Sequence, residues 1–373
     1  MSLAPARPAD LDPHALALAA HDTHRAGSLT FLVGEEALTY RVVDGEVTES
    51  ADADGDVVVR MDAAAWNDLT GQIRSFINLH LSGALTYEKG GFDHLGAWNR
   101  VLTYLHAGIP PYEPARADLR GRDPHAAMTL DAGDDELREQ LQTMGYLLVK
   151  GVFSPEEMAA ANAEVDRLAA LASPGDDQSW FVETDEGQKL CRLVYTTLRS
   201  EALRRLEQDP RIQRLGTLMD PDLRIAPDRM EGSAVLIKVP GKTRGLSNIP
   251  WHQDCGMGGH AIFCPSVSMG IQLTGSSPET GNLLMVPGSQ GQTLRYDWHA
   301  QSDAPVVEID TEPGDVTVHI QDVMHASPAP TAQGGRRTMY VTHYPATLWD
   351  HIGPGQAYND LVRNRTKEVG ALA

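Results

Sequence analysis

The sequence predicts an α+β protein whose C-terminal part is a double-stranded β-helix, or jelly roll, with flanking helices. Beyond residue 232, short apolar runs recur between turns rich in Gly and Pro, which is the rhythm of a barrel made of two sheets. Strand-like and helix-like segments are mixed before residue 110, which indicates a separate small α+β domain. Residues 111–133 are rich in proline and charge and show no periodic apolar face, so we expect a linker there.

The N-terminal domain is predicted to cover residues 1–110. Residues 29–60 alternate β-forming residues with the turn pairs Asp44-Gly45 and Asp54-Gly55, which predicts three or four antiparallel strands in a meander. A helix, a short strand and a second helix ending at Gly108 should follow. The first of these helices has apolar residues at helical spacing: Trp66, Leu69, Ile73 and Phe76.

The C-terminal domain is predicted to cover residues 134–373. It opens with a helix, a short apolar strand and a second helix, which is entered through Ser154 as N-cap and Pro155 at the first helical position. The apolar runs that predict the later strands are SAVLIKV, SVSMGIQLTG, GNLLMVPGS, VVEID, DVTVHI and TMYVTHY.

Composition excludes several classes of protein. The net charge of −20 and the pI near 5.0 disfavour nucleic acid and acidic membrane surfaces as partners. No apolar run is long enough for an integral membrane segment, and the N-terminus lacks the pattern of a signal peptide, so we expect a cytoplasmic protein. Cys191, Cys255 and Cys264 lack metal-type spacing and are expected to be reduced thiols.

The segment IPWHQDCGMGGH, at residues 249–260, contains a candidate metal-binding pair, His252 and Asp254. Residues two apart on a strand point to the same face, so an imidazole and a carboxylate can bind one ion. The candidate third ligand is His325, near the end of a later predicted strand. Two histidines and one carboxylate form the ligand set of non-haem Fe(II) oxygenases, with three adjacent positions left open. A lone H-x-D pair is common by chance, so a solvated polar pair is the alternative.

The surrounding motifs resemble those of the phytanoyl-CoA dioxygenase family, a branch of the Fe(II)- and 2-oxoglutarate-dependent oxygenases. The similarity runs from about residue 134 to about residue 345. The family's proximal motif resembles PWHQD at 250–254. Its central motif resembles GNLLMVPGS at 281–289, and its distal motif resembles GDVTVHIQDVMH at 314–325. The opening helix, strand and helix in MGYLLVKGVFSPEEM also resemble the family.

The resemblance implies that His252, Asp254 and His325 bind Fe(II). It also implies that Arg336 binds the distal carboxylate of 2-oxoglutarate, since a planar guanidinium can meet a carboxylate through two parallel hydrogen bonds. Lys238 is a second candidate contact for this anion, and the alternative is a surface lysine at a strand end.

His319 could compete with His325 as a ligand, because it lies six residues earlier and has the same strand parity. The break at Gln321-Asp322 indicates a loop that carries His325. In the family, the ligand histidine precedes a small residue and then Ser or Gly, which is the pattern of His325-Ala326-Ser327. His319 is therefore expected beside the ligands rather than among them.

Arg337 follows Arg336 and should face the opposite side of the strand, so only one of the two can reach the site. Three further histidines have no comparable support and are interpreted as ordinary surface or hydrogen-bonded residues. They are His260, His299 and His343.

By this resemblance the protein uses Fe(II), 2-oxoglutarate and dioxygen, hydroxylates an aliphatic C–H bond and releases succinate and carbon dioxide. Some relatives become halogenases when a small residue replaces the carboxylate, but Asp254 keeps that position filled, which favours hydroxylation. One alternative is desaturation or cyclisation of an amino-acid-like or natural-product substrate by the same chemistry. Another is a lipid carrier or binding protein whose oxygenase domain is inactive.

The N-terminal domain resembles sterol-carrier-protein-like domains, in which a small sheet and helices enclose an apolar tunnel. The similarity depends on DGEVT, DGDVVVRMDAAAWNDLTG and SGALTYEKG. It implies a lipid-like or acyl-thioester substrate, whereas a packed structural or dimerising module is the alternative. The acidic chain disfavours the phosphates of an acyl-CoA, which keeps other small molecules in competition. Nothing in the sequence specifies an oligomeric state.

Overall fold

The computed structural model describes residues 3, 5, 7–21, 23, 26–225, 233–240, 248–254, 265–293, 304–332 and 335–347. These residues divide into two compact units. Unit 1 contains the described residues up to Arg116 together with 291–293, and unit 2 contains those of 117–254, 265–290 and 304–347. In the described ranges, none of the helices is both long and apolar enough to span a membrane.

Unit 1 contains a five-stranded sheet in the order β3-β2-β1-β4-β5. Its strands are β1 (Ser28–Val33), β2 (Glu36–Val43), β3 (Glu46–Ser50), β4 (Val57–Met61) and β5 (Thr86–Lys89). The first three form the predicted meander, and Asp44 and Gly45 have the positive φ angles of a tight hairpin turn.

The prediction of an antiparallel fourth strand was wrong, because β4 runs parallel to β1. The Asp56 carboxylate explains the alignment, since it accepts hydrogen bonds from the backbone N–H of Ser28 at 3.1 Å and from its hydroxyl at 2.8 Å. These bonds hold the starts of β1 and β4 side by side. Asp54-Gly55 is therefore part of a crossover and does not form a hairpin turn.

The helices of unit 1 are α1 (Pro13–Ala20), α2 (Ala63–Thr70), α3 (Phe76–Leu81), α4 (Phe92–Gly96) and α5 (Asn99–Ala107). The predicted single helix over Trp66 to Phe76 is two helices, because Gln72 has a positive φ and Ser75 caps a new start. The last helix ends at Gly108, as predicted. Aromatic rings fill much of the core of unit 1: Phe31, Tyr40, Trp66 and Trp98.

The helices of unit 2 are α6 (Asp134–Met144), α7 (Pro155–Ala169), α8 (Glu201–Glu207) and α9 (Pro210–Gly216). The predicted start of α7 is confirmed, since the Ser154 hydroxyl accepts from the backbone of Glu157 and the Glu157 side chain accepts from the backbone of Ser154. Short 3-10 turns occur at Pro114–Arg116, Thr196–Leu198 and Pro278–Thr280.

The described strands of unit 2 form a large sheet and a small sheet. The large sheet contains β6 (Ala127–Met128), β7 (Tyr146–Val149), β8 (Ser179–Thr184), β9 (Gly187–Leu193), β10 (Arg224–Ile225), β11 (Ala234–Ile237), β13 (Val267–Gln272), β16 (Val316–Ile320) and β18 (Arg337–Tyr344). The small sheet contains β12 (Ile249–His252), β14 (Leu283–Met285), β15 (Val307–Ile309) and β17 (His325–Ser327). Every apolar run quoted above contains one of these strands, which confirms the α+β class.

The order of the large sheet is β6-β7-β16-β13-β18-β11-β9-β8, with β10 also paired to β18, and that of the small sheet is β12-β17-β14-β15. β6, which lies within the segment interpreted as a linker, pairs in parallel with β7. The domain boundaries inferred from the sequence stay a prediction.

The two faces of the large sheet differ sharply in polarity. On one face, a cross-strand row of buried apolar residues packs with apolar residues of the helices. This row contains Val149, Val316, Ile271, Met339 and Val235. The alternate residues point to the other face and include His319, Gln272 and Thr338, all buried. Because polar residues are normally excluded from a purely structural core, this second face is the candidate for function.

Two glycines allow chain segments to approach closely near this polar face. A Cβ on Gly281, whose φ is +74°, would lie 2.3 Å from the carbonyl oxygen of Pro328. A Cβ on Gly335 would lie 2.0 Å from the carbonyl oxygen of Lys238. Both obstacles are backbone atoms, which cannot rotate away, so a side chain at either position would push the segments apart.

Gly281→Ala should lower the free energy of unfolding by about 2–4 kcal/mol, because the left-handed conformation and the backbone overlap both penalise a side chain. Gly121→Ala is the matched control: its φ is +67° but a Cβ there meets nothing within 4 Å. The control should lose only about 1 kcal/mol. Urea unfolding of both variants measures the difference, and equal losses would contradict the close approach at Gly281.

Candidate metal centre

The pairing of β12 with β17 brings two histidines face to face. His252 ends β12, His325 begins β17, and the two are directly opposite each other in the antiparallel ladder. Their ring centroids are 4.1 Å apart. Asp254 follows β12 and is held by its backbone N–H, which donates to the carbonyl of Gln321 at 2.8 Å. As a result, the potential ligand atoms of His252, Asp254 and His325 all lie within 4.8 Å of one another.

The distances within this group suit a shared metal ion. Oδ1 of Asp254 lies 3.2 Å from Nε2 of His252 and 3.8 Å from Nε2 of His325. Two ligand atoms that each lie about 2.1 Å from one metal, with a right angle between the two bonds, are about 3 Å apart. The Nδ1 of His325 lies 3.0 Å from the carbonyl of Val323 and is therefore the protonated nitrogen. This leaves Nε2 of His325 with a free lone pair.

The protonation states also suit a cation. Burial, reinforced by the neighbouring His252, lowers the pKa of His325 to about 3, so its imidazole is neutral at physiological pH. Burial raises the pKa of the Asp254 carboxyl, but the neighbouring His325 ring and hydrogen bonds from His252 and His319 lower it by more. The net pKa of Asp254 lies well below its usual range, so the group is ionised. The two side chains are thus a neutral nitrogen donor and an anionic oxygen donor.

His319, the alternative ligand, lies beside the group of three rather than in it. It is buried on β16, and its Nε2 is 3.4 Å from Oδ2 of Asp254. Its ring centroid lies 4.7 Å from that of His325. Among the described residues, the three that could hold one ion together are His252, Asp254 and His325.

Arg336 is almost completely buried, with 1% of its surface exposed. Its guanidinium donates to Thr338 Oγ1 at 2.8 Å, to the Gly281 carbonyl at 3.1 Å, and to the hydroxyls of Ser327 and Tyr340, both at 3.2 Å. All four acceptors are neutral. In the part of the chain that the structure describes, Arg336 forms no ion pair with an Asp or Glu, although an isolated buried charge is costly.

Lys238 is also buried, so the interpretation of it as a surface lysine was wrong. Its Nζ donates to the carbonyls of Ser327 at 2.5 Å and Pro328 at 3.1 Å. Burial, and secondarily the positive charge of Arg336, lowers the pKa of Lys238 well below its usual value. Ser327 therefore connects two buried basic side chains: Lys238 binds its carbonyl and Arg336 binds its hydroxyl.

A family profile described as Phytanoyl-CoA dioxygenase (PhyH) matches residues 141–338, which is more than half of the chain. The chain belongs to this family. The metal group, Arg336 and Lys238 fall within the matched range, whereas Tyr340 lies just beyond its end. No curated protein matches the chain in a sequence comparison.

Solved structures similar to this PhyH-family chain include the epimerase SnoN in complex with Fe3+, alpha ketoglutarate and nogalamycin RO. That match has 22% sequence identity and a TM-score of 0.46, and covers 57% of this chain and 84% of SnoN. EctD from S. alaskensis with 2-oxoglutarate and 5-hydroxyectoine matches at 19% identity with a TM-score of 0.47, covering 64% and 83% of the two chains. HygX from Streptomyces hygroscopicus with nickel and 2-oxoglutarate bound matches at 19% with a TM-score of 0.42, covering 59% and 88%.

Four polar residues around Arg336 were missed in the sequence: Ser327, Thr338 and Tyr340, which contact it, and Gln272, which contacts Thr338. Thr338 and Tyr340 could have been found from the sequence, because they follow Arg336 at two-residue spacing and therefore share its strand face. Gln272 is placed by pairing across β13 and β18, where its Oε1 accepts from the Thr338 hydroxyl at 3.1 Å. Such cross-strand register cannot be read from one strand alone.

The other histidines, cysteines and Arg337 considered in the sequence of this PhyH-family chain lie away from the metal group or outside the described residues. Arg337 faces the opposite way from Arg336, as predicted, and pairs with Asp166 at 2.7 Å. His343 is buried among other residues, and its Nε2 lies 3.2 Å from the Gln213 side chain. Cys191 is a buried free thiol. Four candidates lie outside the described residues: Cys255, His260, Cys264 and His299.

His343 makes the stability of this protein dependent on pH. Burial, with a smaller effect of Arg224, lowers the pKa of His343 to about 4, whereas an unfolded histidine has a pKa near 6.5. Between these values the unfolded chain binds the proton and the folded chain does not. Stability is therefore lost as pH falls from about 6.5 to about 4, and this side chain contributes no further loss below that.

Between pH 7 and pH 5, His343 should account for a loss of about 2 kcal/mol in the free energy of unfolding. Urea unfolding of the metal-free protein and of His343→Gln at both pH values measures this contribution, because glutamine does not titrate. The variant should show the smaller pH dependence. An identical pH dependence in both proteins would mean that His343 takes up its proton in the folded state.

Proposed function

We propose that this protein is an Fe(II)- and 2-oxoglutarate-dependent oxygenase that hydroxylates an aliphatic C–H bond of a small molecule. The observation that carries the proposal is the convergence of His252, Asp254 and His325 at one point, with their ligand atoms within 4.8 Å. Two imidazoles and one carboxylate that converge in this way are typical of non-haem Fe(II) oxygenases. Membership of the PhyH family supports the same reaction class.

In this proposal, Nε2 of His252, Oδ1 of Asp254 and Nε2 of His325 hold the metal. When bound, Fe(II) with 2-oxoglutarate and dioxygen supplies the oxidising power for C–H cleavage, and succinate and carbon dioxide are released. The chain contributes the geometry. The bond from Nδ1 of His325 to the Val323 carbonyl fixes the orientation of one ring, and the backbone bond of Asp254 to Gln321 fixes the carboxylate.

Arg336 is proposed to bind the distal carboxylate of 2-oxoglutarate. Its burial without an acidic partner among the described residues supports this role, because an incoming carboxylate would compensate the charge. Four neutral acceptors already take four of the five N–H groups. The carboxylate would therefore be met by one Nη2 N–H and by the hydroxyl of Tyr340, rather than by two parallel guanidinium bonds. Lys238, whose Nζ donates to the carbonyls of Ser327 and Pro328, is proposed as a second contact for this anion.

We further propose that the two sheets of unit 2 form the jelly roll predicted from the sequence. The small sheet carries both histidine ligands, while the large sheet leads through β18 to Arg336. Unit 1 is proposed to be the sterol-carrier-protein-like domain, with which its five-stranded sheet and short helices are compatible.

For the substrate, we propose a polar small molecule rather than an acyl chain. The face of the large sheet that carries the site is rich in hydroxyl and amide groups: Ser268, Gln272, Thr317, Thr338, Tyr340 and Thr342. This polar face would contribute little binding free energy to an acyl chain, since the binding of an acyl chain depends on apolar contact. The net charge of −20 also opposes the phosphates of an acyl-CoA.

Anaerobic addition of Fe(II) and then 2-oxoglutarate to the apo-protein should produce the weak visible charge-transfer band of a chelated keto acid. His252→Ala should abolish the band by removing one of three ligands, and Arg336→Met should weaken 2-oxoglutarate binding by at least about tenfold. His125→Ala, which removes an exposed histidine of unit 2, is the matched control and should behave like the intact protein. Stoichiometric metal binding without any band would reject 2-oxoglutarate as cosubstrate.

Turnover should convert the substrate to a product that is heavier by one oxygen atom derived from dioxygen, with one succinate formed per product. Mass spectrometry under labelled dioxygen, with parallel panels of polar metabolites and acyl-CoA esters, measures both the reaction type and the substrate class. A product that has lost two hydrogens would replace hydroxylation with desaturation or ring formation. Oxidation confined to the acyl-CoA panel would reject the polar substrate.

A further inference from the structure

Among the described residues, His319 is the buried histidine beside the metal group that the proposed function leaves without a role. It lies on β16, is 1% exposed, and occupies the polar face of the large sheet opposite Ser268 and Tyr146. Its Nδ1 has no hydrogen-bond partner in the described part of the chain. A buried polar atom without a partner costs about 1–3 kcal/mol, so packing alone does not explain an imidazole at this position.

The surroundings of Asp254 show what the imidazole does. The two carboxylate oxygens have different neighbours: Oδ1 faces Nε2 of His252 at 3.2 Å and Nε2 of His325 at 3.8 Å, whereas Oδ2 faces Nε2 of His319 at 3.4 Å. The last distance is slightly longer than that of a typical N–H···O hydrogen bond. One oxygen is therefore directed towards the two ligand histidines and the other towards His319.

We propose that His319 is a positioning residue that holds Oδ2 of Asp254 through its Nε2–H, so that only Oδ1 is available to the metal. This inference rests on the proposed function. A carboxylate can bind a cation through one oxygen or through both. Binding through one oxygen keeps three coordination positions free, which is what two atoms of 2-oxoglutarate and one dioxygen require.

Two other roles fit the geometry less well. A fourth ligand would have its nitrogen within the convergent group, but that group consists of His252, Asp254 and His325. A space-filling residue would be apolar, like the β16 residues on the opposite face, Val316, Val318 and Ile320. The contact with Asp254 is the hydrogen bond of His319 that the structure describes, and it gives the buried imidazole its function.

The test compares His319→Gln, whose side-chain amide can place an N–H near the same point, with His319→Leu, which fills the space without a donor. Fe(II) affinity is measured by anaerobic titration, and the coordination of the site by the absorption spectrum of the Co(II)-substituted protein without 2-oxoglutarate. The leucine variant should bind Fe(II) about 10–100-fold more weakly, as expected for loss of a group that orients a ligand. Its Co(II) spectrum should differ from that of the intact protein. The glutamine variant should keep most of the Fe(II) affinity and a Co(II) spectrum close to that of the intact protein.

Thermal unfolding of the metal-free proteins separates positioning from folding, because a positioning role leaves the metal-free fold of His319→Leu intact. If that variant does not fold, His319→Asn takes its place: its shorter amide should weaken Fe(II) binding while glutamine preserves it. Leucine or asparagine variants that bind Fe(II) like the intact protein would overturn the inference, as would equal weakening by glutamine and leucine. Absence of the Fe(II)/2-oxoglutarate band in the intact protein would instead reject the proposed function.

Discussion

The site depends on one antiparallel pairing, that of β12 with β17. Because His252 and His325 occupy opposite positions in this ladder, their side chains leave the same face of the small sheet and converge. Asp254 needs only two more residues of chain to reach them. Three potential ligands from two sequence segments are thus brought together by a single backbone register, and a slip of one residue would turn the two histidines to opposite faces.

A second constraint is the balance of charge between the metal group and Arg336. The metal group contains an ionised carboxylate, while Arg336 is a buried cation surrounded by neutral acceptors. Ser327 connects the two regions, since it lies two residues after His325 on the same short strand and its hydroxyl contacts Arg336. In the proposed function, a keto acid with a carboxylate at each end would have one end at the metal and the other at the arginine.

The sequence predicted the parts of this arrangement that depend on local spacing. The opposite orientations of Arg336 and Arg337 follow from the two-residue period of a strand, and the choice of His325 over His319 came from the family pattern of the residues after it. Asp254 is close to His252 in sequence but lies beyond the end of β12, so strand parity does not explain its position. The sequence did not predict features that depend on pairing between distant segments. The parallel position of β4 and the burial of Lys238 beside the Ser327 carbonyl are of this kind. His319 was expected beside the ligands, but its contact with Asp254 in particular was not predicted. The break between α2 and α3 was missed because apolar periodicity continues across a residue with positive φ.

The small sheet has strands of only three or four residues, so few ladder hydrogen bonds hold β12 against β17. Local opening of such a segment costs less free energy than opening of the long strands of the large sheet. A cation bound by residues of both segments acts as a cross-link between them, and its binding energy is added to the energy needed to separate them. In the proposed function, metal loading would therefore protect two short segments that are otherwise weakly held together, and slow amide hydrogen exchange at Asp254 would distinguish the metal-bound protein from the metal-free one.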